Sequence, residues 1–245
     1  MTAIGFVGED EQHFWVVTTL VDDALLASVD WLRDVIESCR VWQGLHAGER
    51  WHKYSLDDAY DLRPVSIRGV VIKPQGWIAG APLKPEAGMW RRVLLQFVHA
   101  DPRPDIVVLV RDVDGYAERL DGIEQVRRGF PWPFQIVAAM PEPEIEGWIV
   151  SGFSPADAGE RTTLEELRRQ LSFDPTAQSH RLTAHPNDAA ADAKRVLARL
   201  SGEDRDRQRA CLERDVVYAR GERNGARRFL DEVDQRVVPM FVRRP

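Results

Sequence analysis

Between Ile106 and Val110 five apolar residues run without interruption, and four of them are β-branched. A run this short and unbroken predicts a strand buried on both faces. Residues 3–8 (Ala-Ile-Gly-Phe-Val-Gly) predict a first strand, and Phe134 to Ala139 a third, ended by Met140-Pro141. Helical spacing fills the intervals. Phe14, Val17, Val21 and Leu25 predict a helix over about residues 11–27. Trp90, Val93, Leu94, Phe97 and Val98 fall at i, i+3, i+4, i+7 and i+8, an amphipathic helix ended by Asp101-Pro102-Arg103-Pro104. Tyr116 to about Arg128 reads as another. Strands alternating with helices predict an α/β domain with a largely parallel sheet flanked by helices.

Elsewhere the pattern is weaker. Trp31, Leu32, Val35 and Ile36 suggest a further helix, and Val65 to Ile72 a strand. Gly76, Gly80, Pro82 and Pro85 mark a loop. About residues 40–84 therefore read as an insertion or irregular connection. Beyond residue 153 every periodic segment is helical. Thr163 and Glu166 have capping-box spacing. Asn187 or Asp188 is placed to cap a helix reaching Leu200, and residues 204–217 and 224–238 read as two more. The expected organisation is an α/β core over 1–153 with a helical C-terminal extension, 154–245, packed on it.

Composition narrows the class. The 245 residues are 44% hydrophobic and 29% charged, as in ordinary globular proteins. No apolar run approaches the roughly 20 residues of a membrane span, and no stretch reads as a signal peptide. Cys39 and Cys211 stand far apart and outside any metal-ligand spacing, which suits a reducing, cytoplasmic setting. The net charge of −6 removes a global basic footprint for nucleic acid, though a local patch or bound cation offsets an acidic average.

The chemistry gathers where strands end. Glu9 follows the first strand, Asp112 and Asp114 the central one, and Glu142, Glu144 and Glu146 the third. In a parallel sheet those ends share one edge, where open α/β sheets place their sites. Asp112 and Asp114 both reach that edge if the backbone stays extended; otherwise Asp114-Gly115 is an ordinary turn with solvated acids. Close carboxylates repel, and a divalent cation is the usual remedy.

Val7-Gly8-Glu9 together with Asp112-Val113-Asp114-Gly115 resembles the Toprim domain, the topoisomerase–primase module also found in OLD-family nucleases. Ile145-Glu146-Gly147-Trp148-Ile149-Val150 and Asn224-Gly225-Ala226-Arg227-Arg228-Phe229-Leu230 resemble segments of small stand-alone Toprim-like proteins, several of which accompany phage-defence systems. The resemblance covers about residues 1–153, and the helical tail more loosely. It implies a Toprim-like sheet and a Mg²⁺- or Mn²⁺-dependent nuclease acting on DNA or RNA. Glu9 would be ligand or general base, Asp112 and Asp114 metal ligands, and Glu146 a supporting ligand. There are departures. Asp10 replaces the relatives' glycine at a turn that favours positive φ, and their later acid falls near His13, so Glu11 rivals Glu9. Ser151 and Gly152 stand where they carry an acid after the Trp segment.

Each residue has a plainer reading. Glu9 could simply open a helix. Glu146 suits a second shell or a helix-face ion pair as well as a metal. Glu142 and Glu144 read as solvated. Arg111 suits a substrate phosphate or an ion pair with the neighbouring acids. His13, His46, His52, His99, His180 and His185 show no metal spacing. Trp51, Trp77, Trp90 and Trp132 read as core or interface before base stacking. Two further functions stay open: a catalytically degenerate Toprim-like subunit that binds an ATPase or a nucleic-acid complex, and another phosphate-hydrolysing enzyme using the same edge.

Overall fold

The computed structural model describes residues 1–54, 65–67, 70–72, 76–185 and 190–242, with the backbone alone for 65–67 and 70–72. Asn187 and Asp188 lie outside the described residues. In chain order the strands are β1 (Thr2–Gly8), β2 (Arg40–Gln43), β3 (His52–Lys53), β4 (Val65–Ile67), β5 (Val70–Ile72), β6 (Trp77–Ile78), β7 (Ala81–Pro82), β8 (Ile106–Val110) and β9 (Gln135–Ala139). The helices are α1 (Glu11–Ser28), α2 (Ile36–Cys39), α3 (Ala87–Val98), α4 (Glu118–Gly129), α5 (Glu146–Gly152), α6 (Ala158–Leu171), α7 (Ala193–Ser201), α8 (Arg205–Ala210), α9 (Arg214–Arg220), α10 (Ala226–Glu232) and α11 (Pro239–Val242).

The main sheet is parallel throughout, in the order β2-β1-β8-β9, with β3 also paired to β1. Its pleat sorts side chains by a period of two. Ile106, Val108 and Val110 pack towards α1 and the C-terminal helices, whereas Val107 and Leu109 pack towards α3 and α4. All five side chains of β8 are buried. Each such side chain contributes roughly 1.5–3 kcal/mol of burial, so this strand anchors both layers. Gly5 in β1 leaves room for the Phe97 ring of α3, which a Cβ there would approach to 2.7 Å.

Several expectations change, among them the helix expected over 204–217, which is two, α8 and α9, and the strand expected over Val65–Ile72, which is the antiparallel pair β4 and β5. Residues 40–84 are not wholly irregular, because β2 and β3 belong to the main sheet. The Trp31–Ile36 pattern yields only a 3-10 turn (Asp30–Leu32) and the four-residue α2. The helix expected at Thr163 begins earlier: Asp157 caps α6 by accepting from Glu160 N at 2.8 Å, and Thr163 sits inside it, donating to Gly159 O. Among the described residues no helix is long and apolar enough to cross a membrane.

Candidate functional site

β1 runs in mid-sheet, with β2 on one side and β8 on the other. The strand order therefore reverses between β1 and β8, and their carboxyl ends open the crevice where α/β sheets take ligands. Glu9 and Asp112 follow these two ends. Asp112 N donates to Glu9 Oε1 at 3.3 Å.

Asp10 caps α1. Its φ is −154°, extended backbone that any residue adopts, so aspartate brings no strain at this position. Its Oδ1 accepts from His13 N at 3.0 Å and pairs with His13 Nδ1 at 2.7 Å. His13 Nε2 lies 3.0 Å from Asp112 Oδ1, so the buried imidazole bridges two carboxylates. Burial alone would lower the pKa of His13, but the hydrogen bonds and charges of Asp10 and Asp112 reverse this and raise it to about 10. Carboxylates beside both ring nitrogens favour the imidazolium form of His13. Burial pushes Asp112 up, which His13 only partly offsets, and Glu9 and Asp114 add repulsion.

The backbone does not stay extended past Asp112. Asp114 has φ +50° and Gly115 +78°, and Tyr116 N closes the turn on Val113 O at 2.8 Å. Asp114 Oδ2 instead meets Arg119 Nη1 at 2.5 Å, and the same Nη1 donates to Asp112 O at 2.7 Å. Arg111 is 1% exposed. It pairs with Glu9, and with Glu86 at 3.0 Å, while Arg119 reaches Glu86 at 3.2 Å. Arg111 is therefore an internal counter-ion, the second of the two roles open to it. Glu86 sits at φ +60°, a conformation uncommon outside glycine and suggestive of a special position. Sequence reasoning missed Glu86 and Arg119; their only signal is that Glu86 stands just before α3 and Arg119 in the first turn of α4.

The third strand end brings Glu144 and Glu146, 3% and 8% exposed. Lys194 Nζ of α7 lies 3.2 Å from Glu144 Oε2. Glu144 Oε1 and Glu146 Oε2 are buried and have no hydrogen-bond partner among the described residues. Burial, then repulsion from Glu144, raises the Glu146 pKa to about 8. Glu142, half-buried, is pushed up by burial and by Asp114. Glu146 lines a cleft of about 230 Å³ with Gln12, Lys194, Glu203, Arg205 and Gln208.

Glu9, Asp112, Asp114 and Glu146 thus share one edge, but no three of them place ligand atoms within 4.8 Å of one another; the trio among the described residues that does so is His46, Glu49 and His52. In kind the acidic set still fits a hard cation. It offers carboxylate oxygens, and two of those, on Glu144 and Glu146, are buried without a partner. No protein-family model, curated protein or solved structure matches the chain.

Proposed function

We propose that the edge between β1 and β8 is the active site of a divalent-cation-dependent nuclease of Toprim type. The observation that carries this is the meeting of Glu9 and the buried Asp112 at the strand-order reversal, beside acids that lack enough internal cations. Glu9, Asp112 and Asp114 would hold the ion, supported by Glu146, with Mg²⁺ or Mn²⁺ as the ion. Such an ion lowers the pKa of a bound water and stabilises charge on a leaving oxygen. The chain's own groups orient and balance the site. His13 fixes the Asp112 carboxylate, and Arg111 holds Glu9 near the Asp112 amide. Lys194 and Arg205, along the cleft beside Glu146, provide cations for a polynucleotide backbone. The resemblance to phage-defence proteins supports a nucleic-acid substrate and a role in defence.

The test is cleavage of single- and double-stranded DNA and RNA with Mg²⁺ or Mn²⁺, beside the Asp112→Asn/Asp114→Asn double variant. Cleavage should vanish with EDTA and fall at least about a hundredfold in the variant. Cleavage that ignores both would sink the reading.

One observation favours a second reading. Glu9, Asp112 and Asp114 already carry internal cations in Arg111, His13 and Arg119. A site neutralised in this way suits a degenerate Toprim-like subunit that binds an ATPase or nucleic-acid complex. No Mg²⁺ binding by calorimetry, with a stable partner co-purifying, would establish it.

A further inference from the structure

Away from the acidic edge, the loop from β2 to β3 carries His46, Glu49 and His52, spaced i, i+3 and i+6. One ligand atom from each lies within 4.8 Å of the other two. The geometry points to a transition-metal site here, of the two-histidine, one-carboxylate type that takes Zn²⁺. This does not depend on the nuclease reading.

The distances fit a shared ion better than they fit direct bonds. Glu49 Oε2 and His52 Nδ1 are 3.4 Å apart. A hydrogen bond between such groups centres near ~2.9 Å. Two ligands on one tetrahedral Zn²⁺, each at about 2.0–2.1 Å, sit about 3.3–3.4 Å apart. Imidazoles on one such ion place their ring centroids about 5 Å apart; His46 and His52 have theirs 5.4 Å apart, with planes at 71°.

The loop is built to hold this arrangement. Glu49 N donates to His46 O at 3.1 Å, and Gly48 takes the φ of +82° that the turn requires. Gly44 N donates to Glu49 O at 2.8 Å. A Cβ on Gly44 would come within 2.5 Å of Glu49 Oε2, so glycine there makes the space the carboxylate occupies. The same Oε2 accepts from His46 N at 3.1 Å, which fixes its direction. His46 is exposed, and Glu49 and His52 are half-buried, so an ion has an open approach and a fourth position for water. Two imidazoles and one carboxylate favour Zn²⁺ over Mg²⁺, which prefers all-oxygen sites.

The site's place in the fold suggests its role. His52 is registered opposite Val7, and Tyr54 N donates to Gly8 O at 2.7 Å. An ion joining His52 to His46 and Glu49 closes the loop and clips the two-residue β3 onto β1, just before Glu9.

The experiment is calorimetric titration of the full chain, stripped with EDTA and dialysed, with Zn²⁺ and separately with Mg²⁺. A visible-absorption titration with Co²⁺ reports tetrahedral geometry. We expect one Zn²⁺ per chain with micromolar or tighter affinity, and an intense Co²⁺ band. His46→Ala, His52→Ala and Glu49→Gln should each weaken Zn²⁺ at least about tenfold, and Asp112→Asn should leave it unchanged. Unfolding melts in EDTA establish that each variant is folded, and the exposed His46 tests the site without disturbing packing. Zn²⁺ binding weaker than about 0.1 mM, or tight binding that survives loss of both histidines, overturns the assignment.

Discussion

At the scale of single residues, the buried acids make stability depend on pH in a direction that can be stated. The pKa of Glu146 is about 8 in the fold against 4.5 for a free glutamate. Between those values the folded chain holds a proton that the unfolded chain has released, so stability falls as pH rises through the window. At about 1.4 kcal/mol per pKa unit, the penalty above pH 8 is a few kcal/mol. Glu146→Gln removes the charge and keeps the shape. In chemical denaturation with EDTA present, the variant should match wild type near pH 5 and exceed it by a few kcal/mol at pH 9; an equal difference at both pH values would contradict this. His13 shifts stability in the same direction, through a favourable interaction that is lost rather than a penalty that is gained. Its pKa rises to about 10, so its contribution is complete below about pH 6.5 and is lost as pH rises through 10. His13→Gln leaves the buried Asp112 without its cation. It should cost about 3 kcal/mol at pH 7, where removing one partner of a buried pair typically costs 3–5, and the gap should narrow above pH 10.

At the scale of elements, α5 depends on a glycine. A Cβ on Gly152 would stand 1.6 Å from the carbonyl oxygen of Cys211, in the turn between α8 and α9. Gly152→Ala should therefore push α5 off the C-terminal helices and lower stability by several kcal/mol. Gly159→Ala, in the exposed first turn of α6 with 3.3 Å of clearance, should change it by less than about 1 kcal/mol; similar effects from both in thermal melts would count against the packing argument. Gly152 stands where the resemblance leads one to expect an acid, and close packing explains why a side chain does not fit there. The same contrast governs what the sequence revealed. Long or uniform patterns read well: α1 spans Glu11–Ser28 against an expected 11–27, and β8 and β9 lie where their apolar runs put them. β2 was missed because its four residues begin with Arg40, whose burial depends on a distant Asp22 at 2.5 Å. The placement of Glu9, Asp112 and Asp114 past the ends of β1 and β8 was legible because both strands are recognisable. Apart from Arg111, for which an ion pair with the neighbouring acids is one of two readings, their counter-ions were not. His13 lies 99 positions from Asp112, and Glu86 lies 25 from Arg111, and no local pattern encodes such pairings. His46 and His52 show no metal spacing in the sequence, because only the folded turn at Gly48 makes them converge with Glu49.

At the scale of the molecule, the C-terminal helices are one wall of the core. Phe229, Leu230, Val233, Val237 and Phe241 lie in the same cluster as Ile4, Phe6, Ile106 and Val108. Glu232 of α10 pairs with Arg127 of α4 at 2.8 Å and accepts from Ala138 N of β9 at 3.1 Å, tying the tail to the sheet and to a helix of the first 153 residues. A chain cut after residue 153 would keep α1 on this face of the sheet but expose the part that the C-terminal helices cover, a larger apolar patch than soluble monomers tolerate. The full chain should unfold in one transition, with fluorescence and far-UV circular dichroism coincident, whereas residues 1–153 alone should aggregate or melt without cooperativity. A soluble 1–153 fragment with a sharp transition would show that the tail is an appendage. Under the proposed nuclease reading the cut should also remove activity. Lys194 and Arg205 come from α7 and α8, and they are the cations in the cleft beside Glu146. The helices that complete the core also bring these two cations to an acidic edge, so under the proposed nuclease reading a fragment made soluble by surface mutation should still bind a polynucleotide more weakly than the full chain.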